Sequence, residues 1–405
     1  MKNYLQIIKA IFAASVILFF NHANAQWVQQ TSGTTSTLNS VYFTNATNGY
    51  VAGASGTIKH TTNGGSTWAT QTSGITSNLN SIFFIKTLTA VGYAAGDNGV
   101  VLKTVTAGSN WSTLPTGITD LLHSAYFTNY DTGYVAGANG KILRTNDGGA
   151  TWATQTTGTT NELYSLYFLD TDTGFAVGTL GTILKTKNGG TTWTQKTSGT
   201  PQILTSVYFA SADTGYIVGF NGTALKSVDG GESWALLTPG TNILYGVSCP
   251  NGHTAYAVGD VSTNKSIVKT SNGGTSWTVQ TNPTTQWLQS VYFVNDTVGY
   301  ACGWNGTILK TQTGGNPVAV NELQIVNNEV EIYPNPNNGI FQVSSSKYQI
   351  SSIEVYSVKG EKVYSTQILN PKSSIFNLNL PDGIYFLKLK TDNGIVNKKI
   401  AIEHK

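Results

Sequence analysis

An eight-residue segment at 145–152, TNDGGATW, recurs along most of the chain and constrains its fold more than any other feature. A well-preserved second copy, SVDGGESW, lies at 227–234. Asp or Asn before Gly-Gly indicates a hairpin turn, because Gly adopts positive φ and the Asx oxygen accepts backbone N–H groups. The tryptophan is then expected to open the next strand and to supply a large apolar surface. We call this segment the box and expect it to be structural at Asn63, Trp68, Asp147, Trp152, Asn188, Trp193, Asp229, Trp234, Asn272 and Trp277.

The boxes recur with a regular period. Tryptophans at 27, 68, 111, 152, 193, 234 and 277 are 41 or 43 residues apart. In the best-defined unit we predict strands at 163–168, 175–178, 182–186 and 193–197. A period near 40 with four strands per unit is typical of a β-propeller blade.

The number of units predicts seven blades. First strands begin near Leu38, Leu79, Leu122, Leu163, Leu204, Leu244 and Leu288. The seventh unit ends at Gly315 without a tryptophan strand, whereas residues 27–30 are a surplus tryptophan strand at the start. We therefore predict that residues 27–30 form the outermost strand of the last blade, because an open ring would expose strand edges.

A basic residue ends the third strand of nearly every unit: His60, Lys103, Arg144, Lys185, Lys226, Lys269 and Lys310. One interpretation is a ring that binds anions. The favoured one is pairing inside each blade, because Asp131, Asp172 and Asp213 each precede their cation by 13 residues across a hairpin. Residues 26–317 hold 12 basic and 12 acidic residues, so we expect no nucleic-acid partner.

Both ends of the chain differ from the repeats. Lys2 and Lys9, an apolar run at 10–20 and an Ala-Asn-Ala site at 23–25 predict a signal peptide at 1–25. No later run is long and apolar enough to span a membrane, so no transmembrane segment is expected in the mature chain. We interpret Cys249 and Cys302 as buried free thiols, because they replace apolar residues of the repeat, although export would permit a disulfide.

The period stops after residue 315. Residues 317–328 are interpreted as a linker. Residues 329–405 alternate apolar and polar positions between Pro-Asn, Lys-Gly and Asp-Gly turns, which predicts a small antiparallel β-sandwich. The expected fold is therefore all-β: a seven-bladed propeller at 26–316 followed by this sandwich.

The repeats resemble known families. The boxes resemble the Asp-box (BNR) repeats of sialidase-type propellers. The longer pattern at 213–219, DTGYIVG, followed by Lys226 and the box at 227–234, is similar to propellers of the photosystem II stability and assembly factor type. This resemblance implies that the box is scaffold and lies away from the binding face.

The last domain resembles another family. The segments EIYPNPNNGIF at 331–341, IEVYSVKGEKV at 353–363 and LPDGIYFLKL at 380–389 are similar to the type A C-terminal sorting domain of the Bacteroidetes type IX secretion system. The resemblance implies outer-membrane translocation by the type IX machinery, removal of the domain, and then surface attachment or release.

The chain lacks residues that several activities of the families it resembles require. Sialidases bind their substrate with an arginine triad and the assembly factors use an arginine-rich patch, but Arg144 is the only arginine. His60, His123 and His253 lie on different blades without ligand spacing, so no metal is expected. No glycine-rich nucleotide loop occurs, so no cofactor is expected, and no catalytic residue is identified.

What remains is the top face, where turns between second and third strands meet the starts of first strands. Candidate ligand contacts there are Trp287, Trp304, Phe220, Tyr164, Tyr245, Glu162 and Asp97. Aromatic residues beside Asn suit glycan or peptide recognition, although they could simply fill the channel mouth. We expect a secreted or cell-surface, monomeric, non-enzymatic binding module. The alternative is a carbohydrate-active enzyme that uses Glu162 with Asp97 or Asp120.

Overall fold

Each sequence repeat folds into one four-stranded antiparallel sheet. The computed structural model of the protein describes residues 27–237, 239–240, 242–260, 266–316, 330–358, 360–368, 373–392 and 394–404. The signal peptide predicted at 1–25 and the linker predicted at 317–328 lie outside these residues. The chain divides into two compact units, one ending at Pro317 and the other beginning at Val318.

The propeller strands are short and their bounds repeat. The N-terminal strand is β1 (Val28–Gln30). Blade 1 contains β2 (Leu38–Phe43), β3 (Gly49–Gly53), β4 (Ile58–Thr61) and β5 (Ala69–Gln71). Blade 2 contains β6 (Leu79–Phe84), β7 (Gly92–Gly96), β8 (Val101–Thr104) and β9 (Ser112–Leu114). Blade 3 contains β10 (Leu122–Phe127), β11 (Gly133–Gly137), β12 (Ile142–Thr145) and β13 (Ala153–Thr154).

The other blades follow the same plan. Blade 4 contains β14 (Leu163–Phe168), β15 (Gly174–Gly178), β16 (Ile183–Thr186) and β17 (Thr194–Lys196). Blade 5 contains β18 (Leu204–Phe209), β19 (Gly215–Gly219), β20 (Ala224–Ser227) and β21 (Ala235–Leu237). Blade 6 contains β22 (Leu244–Ser248), β23 (Ala255–Gly259), β24 (Ile267–Thr270) and β25 (Thr278–Val279). Blade 7 contains β26 (Leu288–Phe293), β27 (Gly299–Gly303) and β28 (Ile308–Thr311).

The predicted strands of blade 4 agree with the structure to within a residue or two. The difference that recurs concerns the tryptophan, which was expected to open the fourth strand. Trp193 lies just before β17, and each of the other box tryptophans likewise precedes its strand. The reason is local, because Thr192 still donates its N–H to the Asn188 side chain at 2.9 Å. Trp193 is thus the first residue beyond the turn.

The ring is closed by the N-terminal strand. The innermost strands of neighbouring blades contact one another in a complete circuit from β2 to β26 and back to β2. Strand β1 pairs antiparallel with β28, with Val28 opposite Lys310 and Gln30 opposite Ile308. Trp27 is fully buried, at 0% exposure. The predicted seven-bladed propeller and its closure by residues 27–30 are therefore confirmed.

The second unit is an antiparallel β-sandwich, as predicted. Its strands are β29 (Val330–Tyr333), β30 (Ile340–Ser345), β31 (Ile350–Ser357), β32 (Lys362–Gln367), β33 (Ser373–Asn377), β34 (Gly383–Thr391) and β35 (Gly394–Ile402). They form two sheets with the strand orders β29-β30-β33 and β32-β31-β34-β35. Phe341, Val343, Ile353 and Leu387 belong to one core that both sheets bury. Among the described residues of either unit, no helix has the length and apolarity needed to cross a membrane.

Candidate functional site

The box is a closed turn at the end of the third strand. In blade 3, the Asp147 carboxylate accepts the Thr151 N–H at 2.9 Å, the Thr151 hydroxyl at 2.5 Å and the Thr145 hydroxyl at 2.8 Å. These hydrogen bonds, above all that from the Thr151 hydroxyl, lower the pKa of Asp147 to about 2. Asp229 has the same arrangement with Ser227 and Ser233, and its pKa is also lowered to about 2.

Boxes with Asn form the same turn. Asn63, Asn188 and Asn272 each accept a backbone N–H four residues later through Oδ1. Their amide nitrogen donates to a Thr or Ser hydroxyl, the group that donates to the aspartate in the other boxes. The box needs an acceptor for the backbone but no charge, which explains the exchange of Asp and Asn.

The box tryptophans pack edge-on against first-strand phenylalanines of the ring. Trp68 meets Phe43 at 6.0 Å between centroids, and Trp193 meets Phe168 at 6.1 Å. Trp27 makes the equivalent contact with Phe293 at 5.8 Å. Trp152, Trp234 and Trp111 repeat it, whereas Trp277 has Cys249 in place of the phenylalanine.

The cations of the third strands join neighbouring blades. Lys103, Lys226, Lys269 and Lys310 donate to the carbonyl of the first box glycine in the next blade at 2.7–3.0 Å, and Lys185 does so at 2.5 Å. Within the described part of the chain, the ion pairs do not include Asp131, Asp172 or Asp213. The pairing predicted inside each blade is therefore wrong. The box turn positions its glycine carbonyl as an acceptor, and the preceding blade supplies the donor.

A ring of serines, which sequence reasoning missed, links the innermost strands. The third residue of six first strands is Ser, and each hydroxyl oxygen accepts a backbone N–H from the next blade. Ser40 accepts from Ile82 at 3.1 Å and Ser124 from Leu166 at 3.0 Å. Ser290 of the last blade accepts from Val41 of the first at 3.3 Å. The recurrence of Ser at this position in six of seven repeats was the available signal; blade 6 has Gly246 instead.

The top face carries a row of aromatic side chains over blades 5, 6 and 7. Phe220 meets Tyr245 edge-on at 6.2 Å, Tyr245 stacks on Trp287 at 6.2 Å, and Trp287 lies 4.6 Å from Trp304. Trp304 is 42% exposed, and the other three are half-buried. We call these four residues the aromatic row. Phe220 and Trp304 reach it from turns after second strands, whereas Tyr245 and Trp287 come from the starts of first strands.

Glu162 and Tyr164 lie beside His123, which the sequence did not place at this site. His123 Nε2 is 2.7 Å from Glu162 Oε1, and the Tyr164 hydroxyl donates to Glu162 Oε2 at 3.0 Å. The His123 and Tyr164 rings are 4.6 Å apart. Both carboxylate oxygens of Glu162 are therefore engaged by neighbouring side chains.

The other two candidate carboxylates have separate partners. Asp97 accepts the side-chain amides of Asn78 at 2.8 Å and Asn80 at 3.0 Å. Asp120 pairs with Lys141 and accepts the Asn139 amide. The hydrogen bond from Lys141 is the main reason why the pKa of Asp120 is lowered. A general acid for glycoside cleavage needs a raised pKa, so Asp120 has the opposite character.

The asparagines beside the aromatic residues have a backbone role. Asn98, Asn221 and Asn305 have φ of 59°, 53° and 51°, a left-handed conformation that Asn tolerates better than most residues. Their amides are also engaged: Asn221 donates to Gln202 at 2.9 Å and Asn305 to Gln286 at 3.0 Å. The turn geometry therefore accounts for these asparagines without a ligand.

Cys249 and Cys302 are free and buried, as predicted. They are 2% and 0% exposed. Burial raises the pKa of both thiols well above the ordinary range, so both remain protonated at neutral pH. They act as small apolar residues of the core.

Comparison with known proteins agrees with this architecture. The family described as photosynthesis system II assembly factor YCF48 matches residues 20–118, 110–196 and 154–285, which together cover more than half of the chain. The family described as secretion system C-terminal sorting domain matches residues 331–403. Among curated proteins, none matches the chain by sequence.

Solved structures share the propeller fold. The structure described as YCF48 bound to D1 peptide has a TM-score of 0.60 at 19% identity, covering 73% of this chain and 96% of that one. YCF48 from Cyanidioschyzon merolae has a TM-score of 0.60 at 16% identity, covering 71% and 98%. A GH74 enzyme from Niastella koreensis has a TM-score of 0.59 at 13% identity, covering 92% and 67%.

At these sequence identities, the solved structures show only that the fold is shared. The two family matches by sequence show to which families the chain belongs. The matched repeats build the blades and their boxes, and the matched C-terminal segment builds the sandwich. The chain therefore belongs to the family described as photosynthesis system II assembly factor YCF48 and ends in a secretion system C-terminal sorting domain of the type IX kind.

Proposed function

We propose that this protein is a non-enzymatic binding module, exported by the type IX secretion system, whose propeller binds a ligand on the aromatic row. The observation that carries the proposal is the continuous contact of Phe220, Tyr245, Trp287 and Trp304, with Trp304 exposed at 42%. The apolar surface that these rings expose to water is unfavourable. A ligand that covers this surface removes it from water, which stabilises the complex.

A neutral glycan is the ligand class that this surface favours. The row contains no charged side chain, and the carboxylates of Glu162, Asp97 and Asp120 are already paired. The apolar face of a sugar ring packs well on an aromatic ring. The hydroxyls of the sugar can form hydrogen bonds with partly exposed polar groups around the row. Charge attraction therefore contributes little to this interaction.

A peptide is the second candidate, because a structure with the same fold is described as YCF48 bound to D1 peptide. A peptide could place an apolar side chain on the row. Enzymatic cleavage of a glycan is the weaker alternative. Glu162, Asp97 and Asp120 are each engaged by other side chains, and the pKa of Asp120 is lowered by Lys141, whereas a general acid for glycoside cleavage needs a raised pKa.

Binding to soluble glycans and to an unstructured peptide pool tests the proposal. The mature protein is compared with Trp304→Ala and with Val228→Ala as a control, because Val228 is also an exposed apolar residue at 67% but belongs to a box. Trp304→Ala should weaken binding about tenfold or more, whereas Val228→Ala should leave it unchanged. Equal affinity of the wild type and Trp304→Ala would show that the row is not the site, and product formation would contradict a non-enzymatic role.

The sorting domain implies secretion or cell-surface localisation. We propose two cleavages, one after Ala25 and one within 316–330. Mass spectrometry of protein secreted by the native host should then find Gln26 as the first residue and no peptide from the sandwich. Recovery of the intact C-terminus on the secreted protein would contradict removal of the domain.

A further inference from the structure

A cavity of about 480 Å³ lies at the mouth of the channel opposite the aromatic row. The row lies where first strands begin, whereas this cavity lies where the first strands of blades 1 to 4 end. The aromatic residues Tyr42, Phe83, Tyr126 and Tyr167 line it, and Lys86 and Asp170 stand at its rim. We call this space the lower cavity. It is within the size range of small-molecule sites.

The four aromatic rings form a continuous wall. Phe83 lies 5.3 Å from Tyr42 and 4.8 Å from Tyr126, and Tyr126 lies 5.5 Å from Tyr167. Two of the hydroxyls are already satisfied, because Tyr126 donates to the Phe168 carbonyl at 2.8 Å and Tyr167 to the Phe209 carbonyl at 2.9 Å. The wall therefore suits an aromatic ring or another flat apolar group.

The hydroxyl of Tyr42 differs from these two. Tyr42 is 7% exposed, and its hydroxyl makes no hydrogen bond of ordinary geometry within the described part of the chain; its polar neighbour is the hydroxyl of Tyr292, whose ring lies 4.9 Å away. A buried hydroxyl without a partner is unfavourable, and structures usually supply one from protein, water or a ligand. The lower cavity thus offers, beside its aromatic wall, a hydroxyl that a ligand can bond in addition to its contact with Tyr292.

The rim carries one charge of each sign. Asp170 Oδ1 accepts the N–H groups of Asp172 at 2.8 Å and Thr173 at 2.6 Å, which holds the turn and leaves the other carboxylate oxygen available. Lys86 is exposed on the turn after β6 and has no ion pair among the described residues. Opposite charges on one rim favour a ligand that carries both.

We propose that the lower cavity binds a small aromatic zwitterion, of the kind that a free aromatic amino acid represents. The ring of the ligand lies on the wall formed by Phe83, Tyr126 and Tyr167. Its carboxylate pairs with Lys86 and its ammonium group with Asp170, and the Tyr42 hydroxyl bonds a polar atom of the ligand. This site is separate from the aromatic row and does not depend on its function.

Calorimetric titration of the full-length protein with L-tyrosine and L-phenylalanine tests the proposal, with N-acetyl-phenylalaninamide as the uncharged comparison. Three variants alter the site without removing a described bond. Asp170→Asn keeps the Oδ1 acceptor of the turn, Lys86→Gln changes an exposed residue, and Tyr42→Phe removes a hydroxyl that makes no hydrogen bond of ordinary geometry. Trp304→Ala serves as the control on the other face.

We expect saturable binding that weakens about tenfold when the ligand is capped and about tenfold in Lys86→Gln and in Asp170→Asn. Tyr42→Phe should lower affinity while leaving the thermal midpoint equal or higher, and Trp304→Ala should bind like the wild type. The proposal is overturned by absence of saturable binding at about 10 mM L-phenylalanine, or by affinities of all three cavity variants equal to that of the wild type. Loss of binding in Trp304→Ala would overturn it as well, because the site would then lie on the other face.

Discussion

The ammonium group of Lys310 donates a hydrogen bond to the Gly64 carbonyl at 2.7 Å, and so joins the last blade to the first. The same carbonyl accepts the Tyr300 hydroxyl at 3.1 Å. Gly64 is the first glycine of the blade 1 box, which means that the contact at the seam repeats the one between other blades. The seam therefore has the ordinary blade contact in addition to the β1–β28 pairing.

Replacing the donor at this seam should weaken the whole ring. Lys310→Met leaves the Gly64 carbonyl with Tyr300 as its donor, so we expect a loss of about 1 kcal/mol in the free energy of unfolding. Urea unfolding measures the change, with Lys187→Met as a control because Lys187 is 67% exposed and its ion pair with Glu232 lies at the surface, where such pairs contribute little. An equal effect of the two variants would contradict a role for Lys310 in closing the ring.

Trp27→Ala should be the most harmful single change to closure. Trp27 is fully buried between Tyr256 and Phe293, and its removal leaves a cavity beside the three-residue strand β1. We expect a loss of about 3–5 kcal/mol and a broader unfolding transition. Trp304→Ala removes an exposed ring and should cost far less. If Trp27→Ala lowers the free energy of unfolding no more than Trp304→Ala does, then residues 27–30 do not hold the ring closed.

The serine ring predicts a cost that sequence reasoning did not. Ser124→Ala leaves the Leu166 N–H, which is buried, without its acceptor. The expected loss in the free energy of unfolding is about 1–3 kcal/mol, because a buried donor without an acceptor is desolvated with no hydrogen bond to compensate. Ser66→Ala is the control, because Ser66 is exposed in a box. Similar thermal midpoints for both variants would show that water replaces the serine.

The box aspartates should make stability depend on pH at the acid end. The folded-state pKa of Asp147 and Asp229 is about 2, below the ordinary value, so the unfolded chain binds more protons as the pH falls. Their contribution is present above about pH 4 and is lost towards pH 2. The double variant Asp147→Asn with Asp229→Asn should show a shallower fall in thermal midpoint between these values. An unchanged slope would mean that other carboxylates dominate.

The two cysteines should resist modification in the folded protein. Burial excludes reagent from Cys249 and Cys302 and raises the pKa of both thiols, whereas alkylation needs an accessible thiolate. Iodoacetamide at pH 8 should label neither thiol in buffer and both in denaturant. Labelling of the native protein at the rate seen in denaturant would place a thiol at the surface.

Local patterns account for what was predicted correctly. Gly-Gly after Asp or Asn allows few turns, and the spacing of the tryptophans sets one four-stranded unit per repeat. Closure by residues 27–30 also followed from counting, because one strand was surplus at the start and one missing at the end. Strand bounds differed by a residue or two, since the box extends its hydrogen bonds to the residue before the tryptophan.

The contacts between blades were decided only by the tertiary structure. Lys185 follows Asp172 by 13 residues across a hairpin, yet it donates to the Gly230 carbonyl of the next blade, because packing places a fixed carbonyl there. The partner of His123 is Glu162, 39 residues away on another blade. Four aromatic residues on three blades form one row by the same means. Repeat chemistry thus determines each blade, whereas partners across blades depend on the angle and distance at which neighbouring sheets pack.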